Sequence, residues 1–168
     1  SALTDNVTGA QNTAVGTRCL KNNENNYNTA IGYDAGFTNT SGGSNTFLGA
    51  NAGYANTTAS NNVAVGRSAL EINSTGTNLV AVGRSAAYNN TTGSDNTAIG
   101  RDALHANTTG TENVALGKDA LKSSTTASFN TVVGSRAGDA LTTGQQNTAV
   151  GNIALTSATT GGYNTAVG

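Results

Sequence analysis

A glycine closing a string of the Asn-Thr-Ala-Val-Gly type recurs at Gly16, Gly32, Gly49, Gly66, Gly83, Gly100, Gly117, Gly134, Gly151 and Gly168. The first interval is 16 residues and the other eight are 17. Self-similarity at a fixed period overrides local readings, because each repeat is one unit that buries its apolar face only against its neighbours. Leucine-rich, ankyrin and tetratricopeptide arrays have longer periods, with helix-forming residues between their markers. Here β-branched residues, Gly and Asn dominate, which disfavours helix. The composition, 10% charged and 5% aromatic, would on its own describe a disordered polar tract. The apolar residues keep phase with the glycines, however, and a disordered chain has no reason to do so. The fold expected is all-β: a parallel β-solenoid of ten coils in one repeat array over residues 1–168. Both ends fall inside the pattern, since Ser1-Ala2-Leu3 matches Ser68-Ala69-Leu70. The array is therefore expected to be a segment of a longer fibrous protein, as solenoids need polar caps to stay soluble.

Within each unit the string before the glycine alternates, as in Asn96-Thr97-Ala98-Ile99-Gly100, and such alternation marks a strand. The residues one before the glycine (Val15, Ile31, Leu48, Val65, Val82, Ile99, Leu116, Val133, Val150, Val167) are expected to fill the coil. The opposite face carries Ala14, Ala30, Ala64, Ala81, Ala98, Ala115, Ala149 and Ala166, with Phe47 and Val132 as exceptions. After the glycine an x-x-Ala-Leu segment adds core, and an Asn-Thr-Thr-Gly segment is expected to form an outer strand and turn. Stacking at ~4.8 Å gives a rod of roughly 48 Å. So few apolar side chains per coil make a thin core at ~25 cal/mol per Å² set against the entropy of ordering each coil. The alanine column is the expected remedy: small side chains let neighbouring subunits approach, and three rolls around one axis would bury it.

The Asn-Thr-Ala-Val-Gly-x-x-Ala-Leu pattern resembles the head repeats of YadA-like trimeric autotransporter adhesins. With Asn-Thr-Thr-Gly between the strings, it is still more similar to repeats of bacteriophage and viral tail fibres. The resemblance covers essentially the whole chain. It implies a left-handed β-roll, a homotrimer of chains side by side, and attachment to a host-cell surface glycan or protein, at the cell or virion surface outside the cell. The adhesin repeat is usually shorter, and neither a coiled-coil stalk nor an autocleaving chaperone domain is present in these residues.

Candidate sites are few. A basic column follows the glycine at Arg67, Arg84, Arg101 and Lys118 and could hold acidic glycans, though Asp102, Asp119 and Glu112 favour local pairing on a solvated face. Asparagines four before the glycine (Asn12, Asn28, Asn45, Asn62, Asn96, Asn113, Asn130, Asn147, Asn164) form a ladder interrupted by Leu79, a stabilising device, with Asn78 a candidate to relieve the gap. The pairs Thr57-Thr58, Thr91-Thr92 and Thr108-Thr109 raise a second reading, ice binding, but adjacent side chains point to opposite faces and leave one outward column. Sequons at Asn39, Asn56, Asn73, Asn90 and Asn107 fall in the expected outer turn. Cys19, the sole cysteine, occupies an alanine column and reads as a small buried thiol. His105 is the one histidine, no cluster has metal-ligand spacing, and the expectation is a non-enzyme without cofactor. A net charge of −1 argues against nucleic-acid binding, and no apolar run is long enough for membrane insertion. A passive spacer carrying a binding tip elsewhere is the remaining alternative.

Overall fold

The computed structural model describes all 168 residues and contains no helix. Each coil contributes one three-residue strand: β1 (Thr13–Val15), β2 (Thr29–Ile31), β3 (Thr46–Leu48), β4 (Val63–Val65), β5 (Val80–Val82), β6 (Thr97–Ile99), β7 (Val114–Leu116), β8 (Thr131–Val133), β9 (Thr148–Val150) and β10 (Thr165–Val167). They pair in chain order as one parallel sheet, each residue opposite its repeat equivalent, as in Thr97↔Val114, Ala98↔Ala115 and Ile99↔Leu116. Nine intervals of ~4.8 Å make the sheet roughly 43 Å long.

The second strand expected in the Thr-rich segment does not form. That segment is a bend, yet it is laddered to the next coil: Thr91 and Thr92 N–H both donate to Thr108 O, at 2.9 and 3.1 Å, and the Thr91 hydroxyl donates to the same carbonyl at 2.9 Å. Because two successive amides converge on one carbonyl, the chain curves there instead of extending. Of 101 backbone hydrogen bonds only 18 lie within the strands, so cohesion between coils is spread over the whole circumference.

Three corners per coil hold residues in the left-handed region, for example Asp95 (φ 59°), Asp102 (φ 56°) and Leu104 (φ 52°). Asp and Asn suit this conformation; the leucine is held there by burial, at 0% exposure. The repeat-closing glycine is required for a different reason. Gly100 has φ +135°, and a Cβ there would stand 2.4 Å from the Gly117 carbonyl oxygen. Glycine stacks on glycine because no Cβ fits between successive coils at this corner.

The interior is the reverse of what strand alternation led us to expect. Ala30, Ala64, Ala81, Ala98, Ala115 and Ala149 are wholly buried inside their own coil, and Ala14 and Ala166 continue the column at the two ends. They face the alanines of the x-x-Ala-Leu segment (Ala35, Ala52, Ala69, Ala86, Ala103, Ala120) and Leu20, Leu70, Leu104 and Leu121 in one continuous core. The residues expected to fill the coil lie outside: Ile31, Leu48, Leu116 and Val150 are each close to two-fifths exposed. A period of two says that a strand has two faces without saying which is inside, and a one-residue inversion exchanges them completely. The coil is narrow enough that only alanine fits where its walls meet. Phe47 supports this reading: it takes an alanine's place opposite two glycines, Gly36 and Gly53, that replace the usual leucine, and a Cβ on Gly53 would stand 2.3 Å from its ring. Val132 also coincides with a glycine, Gly138, though there a Cβ would meet the valine only in ordinary contact, at 3.4 Å.

Two asparagine columns complete the interior. In the expected ladder each Oδ1 accepts the backbone N–H of the next asparagine (Asn45 N to Asn28 Oδ1, 2.9 Å). Each Nδ2 donates to a carbonyl across the coil (Asn45 Nδ2 to Ala59 O, 2.9 Å). At the interruption, Leu79 N–H still donates to Asn62 Oδ1 at 2.9 Å, but Leu79 offers no oxygen onward. Asn78 does not relieve the gap; its side chain reaches Asp95 on the surface at 3.0 Å. The second column was read from sequence as glycosylation sequons. Asn39, Asn73, Asn90 and Asn107 are in fact fully buried and Asn56 nearly so. Asn90 Nδ2 donates to Asn73 Oδ1 and to Gly93 O, each at 2.8 Å. An amide nitrogen so engaged is closed to glycan transfer in the folded chain.

Candidate functional site

The alanine column cannot be a subunit interface: Ala30, Ala64, Ala81, Ala98, Ala115 and Ala149 are enclosed by their own coils, and Ala14 and Ala166 point the same way from the end coils. The surface that the alanines leave outside is the other face of the sheet. There each strand presents two side chains flanking the alanine, Thr or Val on one side and Val, Ile or Leu on the other. Across ten strands none of these positions is charged. The result is an uncharged strip, roughly 43 Å long and two columns wide, with Ile31, Leu48, Ile99, Val114, Leu116 and Val150 each 36–42% exposed. Contiguous apolar surface of this extent marks an interaction site more often than scattered exposed residues do.

The basic column borders the strip. Arg67, Arg84, Arg101 and Lys118 stand one above another immediately after the strand-closing glycines, all exposed. Acids from the next position and the next coil approach them: Arg84 to Asp102 at 3.2 Å, Arg101 to Asp102 and to Asp119 at 3.7 Å, and Lys118 to Asp119 at 3.6 Å. Asp119 also meets Lys122 at 3.2 Å. Burial pushes the Asp119 carboxyl up, but the hydrogen bond from Lys122 and the charges of Lys122, Lys118 and Arg101 outweigh it and hold the group below the ordinary carboxylate range. The stripe is thus interleaved with acid over its lower part, as local pairing requires, while Arg67 keeps its charge without an ion-pair partner. Glu112, which sequence proximity placed among the pairing acids, lies at a different corner, before β7 rather than after it.

Near the first coils a further cationic and aromatic group forms. Arg18 bonds both carboxylate oxygens of Asp34 and the Tyr33 hydroxyl, and its guanidinium lies 5.0 Å over the Phe37 ring. Phe37 stacks on Tyr54 with centroids 5.3 Å apart, and Tyr88 stacks on His105 in the same column, also at 5.3 Å. Phe37, Tyr54, Tyr88 and His105 share one offset from the repeat-closing glycine, five residues after it, which is the sequence signal for the column. Cys19 sits in the alanine column as expected, fully buried, its thiol donating to Ala30 O at 3.0 Å, and burial pushes its pKa up.

Of the threonine pairs, the first hydroxyl of each is committed to the next coil's backbone (Thr108 to Thr125 O, 3.0 Å; Thr125 to Thr142 O, 3.2 Å). The second is exposed, as in Thr92, Thr109 and Thr126. That bend presents one free threonine column, on a curved part of the coil. No protein-family model, curated protein or solved structure matches the chain.

Proposed function

We propose that this chain is a shaft or head segment of an extracellular fibre built from three copies, and that the aliphatic sheet face is where the copies meet. The observation that carries the reading is the uncharged strip: an unbroken double column of Thr/Val and Val/Ile/Leu over every strand, on the side of the sheet that the chain's own core leaves bare. Three such faces turned toward a common axis would add the apolar burial that a core of alanines and asparagines lacks. The resemblance of the repeat to adhesin heads and tail-fibre segments points to the same assembly, and to attachment at a host-cell or virion surface as its task. In this reading the exposed part of the basic column, Arg67 above all, faces outward and is available to acidic surface glycans.

Two sets of variants test the proposal separately. Val82→Arg with Ile99→Arg places charge in the strip and is expected to abolish the trimer in sedimentation velocity; an unchanged trimer refutes the seam. Arg67→Ser with Arg84→Ser and Arg101→Ser keeps every side chain of the strip itself and is expected to reduce retention on a sialylated or sulfated glycan surface at low salt. Unchanged retention reduces the segment to a passive spacer. Ice binding is the alternative with which the Thr-containing sheet face is also compatible, and thermal hysteresis in a purified sample would overturn the fibre reading.

A further inference from the structure

The basic column and the left-handed residue that follows it repeat one arrangement from coil to coil. Ser85, Asp102 and Asp119 are spaced by 17 residues, and their φ values are 56°, 56° and 57°. Each backbone N–H donates to the carbonyl of the basic residue one coil earlier: Ser85 to Arg67 at 3.0 Å, Asp102 to Arg84 at 3.0 Å and Asp119 to Arg101 at 2.9 Å. All three are equally buried, at 8% exposure. The backbone therefore sets the three side chains alike, each between the cation of the preceding coil and the cation of its own. In two of these coils an aspartate bridges the cations. Asp102 Oδ2 lies 3.2 Å from Arg84 and 3.7 Å from Arg101, and Asp119 Oδ2 lies 3.7 Å from Arg101 and 3.6 Å from Lys118. In the third, Arg67 and Arg84 flank Ser85 in the same register, and the group between them is a hydroxyl. Ser85 enters no side-chain hydrogen bond and Arg67 no ion pair, although Ser85 is more than nine-tenths buried.

We propose that Arg67, Arg84 and the Ser85 hydroxyl form a binding site for the carboxylate of an acidic sugar, the terminal sialic acid of a surface glycan. The sugar carboxylate takes the position that the Asp102 and Asp119 side chains take in the next two coils, so the chain itself supplies the template for its ligand. Guanidinium N–H groups meet a carboxylate in a planar fork, and the serine hydroxyl adds a neutral donor. A single carboxylate suits this site better than a polyanionic chain. On one side the cations are already bridged by Asp102 and Asp119, and on the other Ala50 and Asn51 carry no charge. The choice of a sugar rests on the glycan reading above and narrows it from a column to one level. The carboxylate site itself stands on the coil-to-coil comparison.

The test follows the Ser85 amide and the Arg67 Nε–H group by nitrogen–proton correlation spectroscopy of the full chain at low salt, titrated with acetate, with sialyllactose and with lactose. Acetate and sialyllactose are expected to shift both signals saturably, sialyllactose at the lower concentration, and lactose to shift neither. Ser85→Asp recreates the setting of Asp102 at a backbone angle that aspartate already adopts, and circular dichroism checks its fold. It is expected to weaken both carboxylates by at least about tenfold, as is Arg67→Ser. Arg136→Ser removes the same charge in a distant coil and is expected to leave both within about twofold. Asp119→Ser is expected to add a second site between Arg101 and Lys118, read as a new saturable shift at the amide of residue 119; its absence contradicts the equivalence of the coils. Binding undiminished by Ser85→Asp, or no shift with either carboxylate, overturns the site. If retention on the glycan surface is then still lost with the three arginines, the glycan reading stands as attraction to the column as a whole. Shifts with acetate but not with sialyllactose keep the carboxylate site and overturn the sugar.

Discussion

Phe47 and Gly53 offer a quantitative test of which face of the strand lies inside. If Phe47 fills the coil, Phe47→Ala empties a site lined by Gly36 and Gly53, neither of which can close it. The loss is then the 3–5 kcal/mol typical of buried Phe→Ala changes, about 4 in a coil this thin. Gly53→Leu alone places a Cβ 2.3 Å from a Phe47 ring carbon, and overpacking of this kind costs about 3 kcal/mol. The two together recreate the alanine–leucine pairing of the sister coils. Leucine at φ near +60° is already accepted at Leu70 (φ 51°) and Leu104 (φ 52°). The double variant is therefore expected to lose only about 2 kcal/mol, the left-handed conformation plus the space still empty beside Gly36. Singles of about 4 and 3 against a double of about 2 leave a coupling near 5 kcal/mol, far beyond the additivity of independent sites. Urea unfolding followed by circular dichroism and by tyrosine fluorescence measures all three, coincidence of the two signals establishing that the coils unfold together. Additive losses, or a Phe47→Ala loss below about 1 kcal/mol as for an exposed residue, would refute the assignment of the faces.

The second asparagine column is expected to carry comparable weight. Asn90→Ala leaves Asn73 Oδ1 and the Gly93 carbonyl short of a donor and should destabilise by about 2–4 kcal/mol, against less than about 0.5 for the exposed Thr92→Ala, in the same urea assay. That column ends in a flaw: Ser124 takes the next asparagine's place, and both its hydroxyl and Asn107 Oδ1 are buried without a partner. Ser124→Asn supplies the missing donor and is expected to stabilise by about 1 kcal/mol; a loss of stability would mean that the site lacks room for an amide. Asp119 has a folded pKa below the ordinary carboxylate value, so it stabilises the fold above that value and the contribution disappears as pH falls through its folded pKa. Asp119→Asn should accordingly cost about 0.5–1 kcal/mol near pH 7 and progressively less as the pH is lowered below the ordinary carboxylate range, a difference visible in urea midpoints at neutral and acid pH.

Much of the architecture is legible in the sequence, because the recurring glycines mark close approaches between coils and the period fixes the stacking. The orientation of the strand is not, since alternation of Thr, Ala and Val is the same pattern seen from either side. The decisive clue lay between columns rather than within one: Phe47 coincides with Gly36 and Gly53, and Val132 with Gly138, a conservation of volume that only a shared interior demands. Val, Ile and Leu exchange in the neighbouring column with no such compensation, as an outer face permits. The buried asparagines at Asn39, Asn56, Asn73, Asn90 and Asn107 were hidden because Asn-Thr-Thr-Gly is also turn chemistry. Their side chains turn inward to bond the carbonyl three residues on, a local geometry that composition does not reveal. The basic column is visible in the repeat, but its pairing depends on acids one coil away, and Glu112 lies at the corner before β7.

The claim that organises the rest is that the bare aliphatic face is a seam between copies. Sedimentation equilibrium of the unmodified chain tests it most directly. A chain of 16.6 kDa is expected to sediment as a single species of three times that mass, whereas a well-folded monomer at every concentration would contradict it.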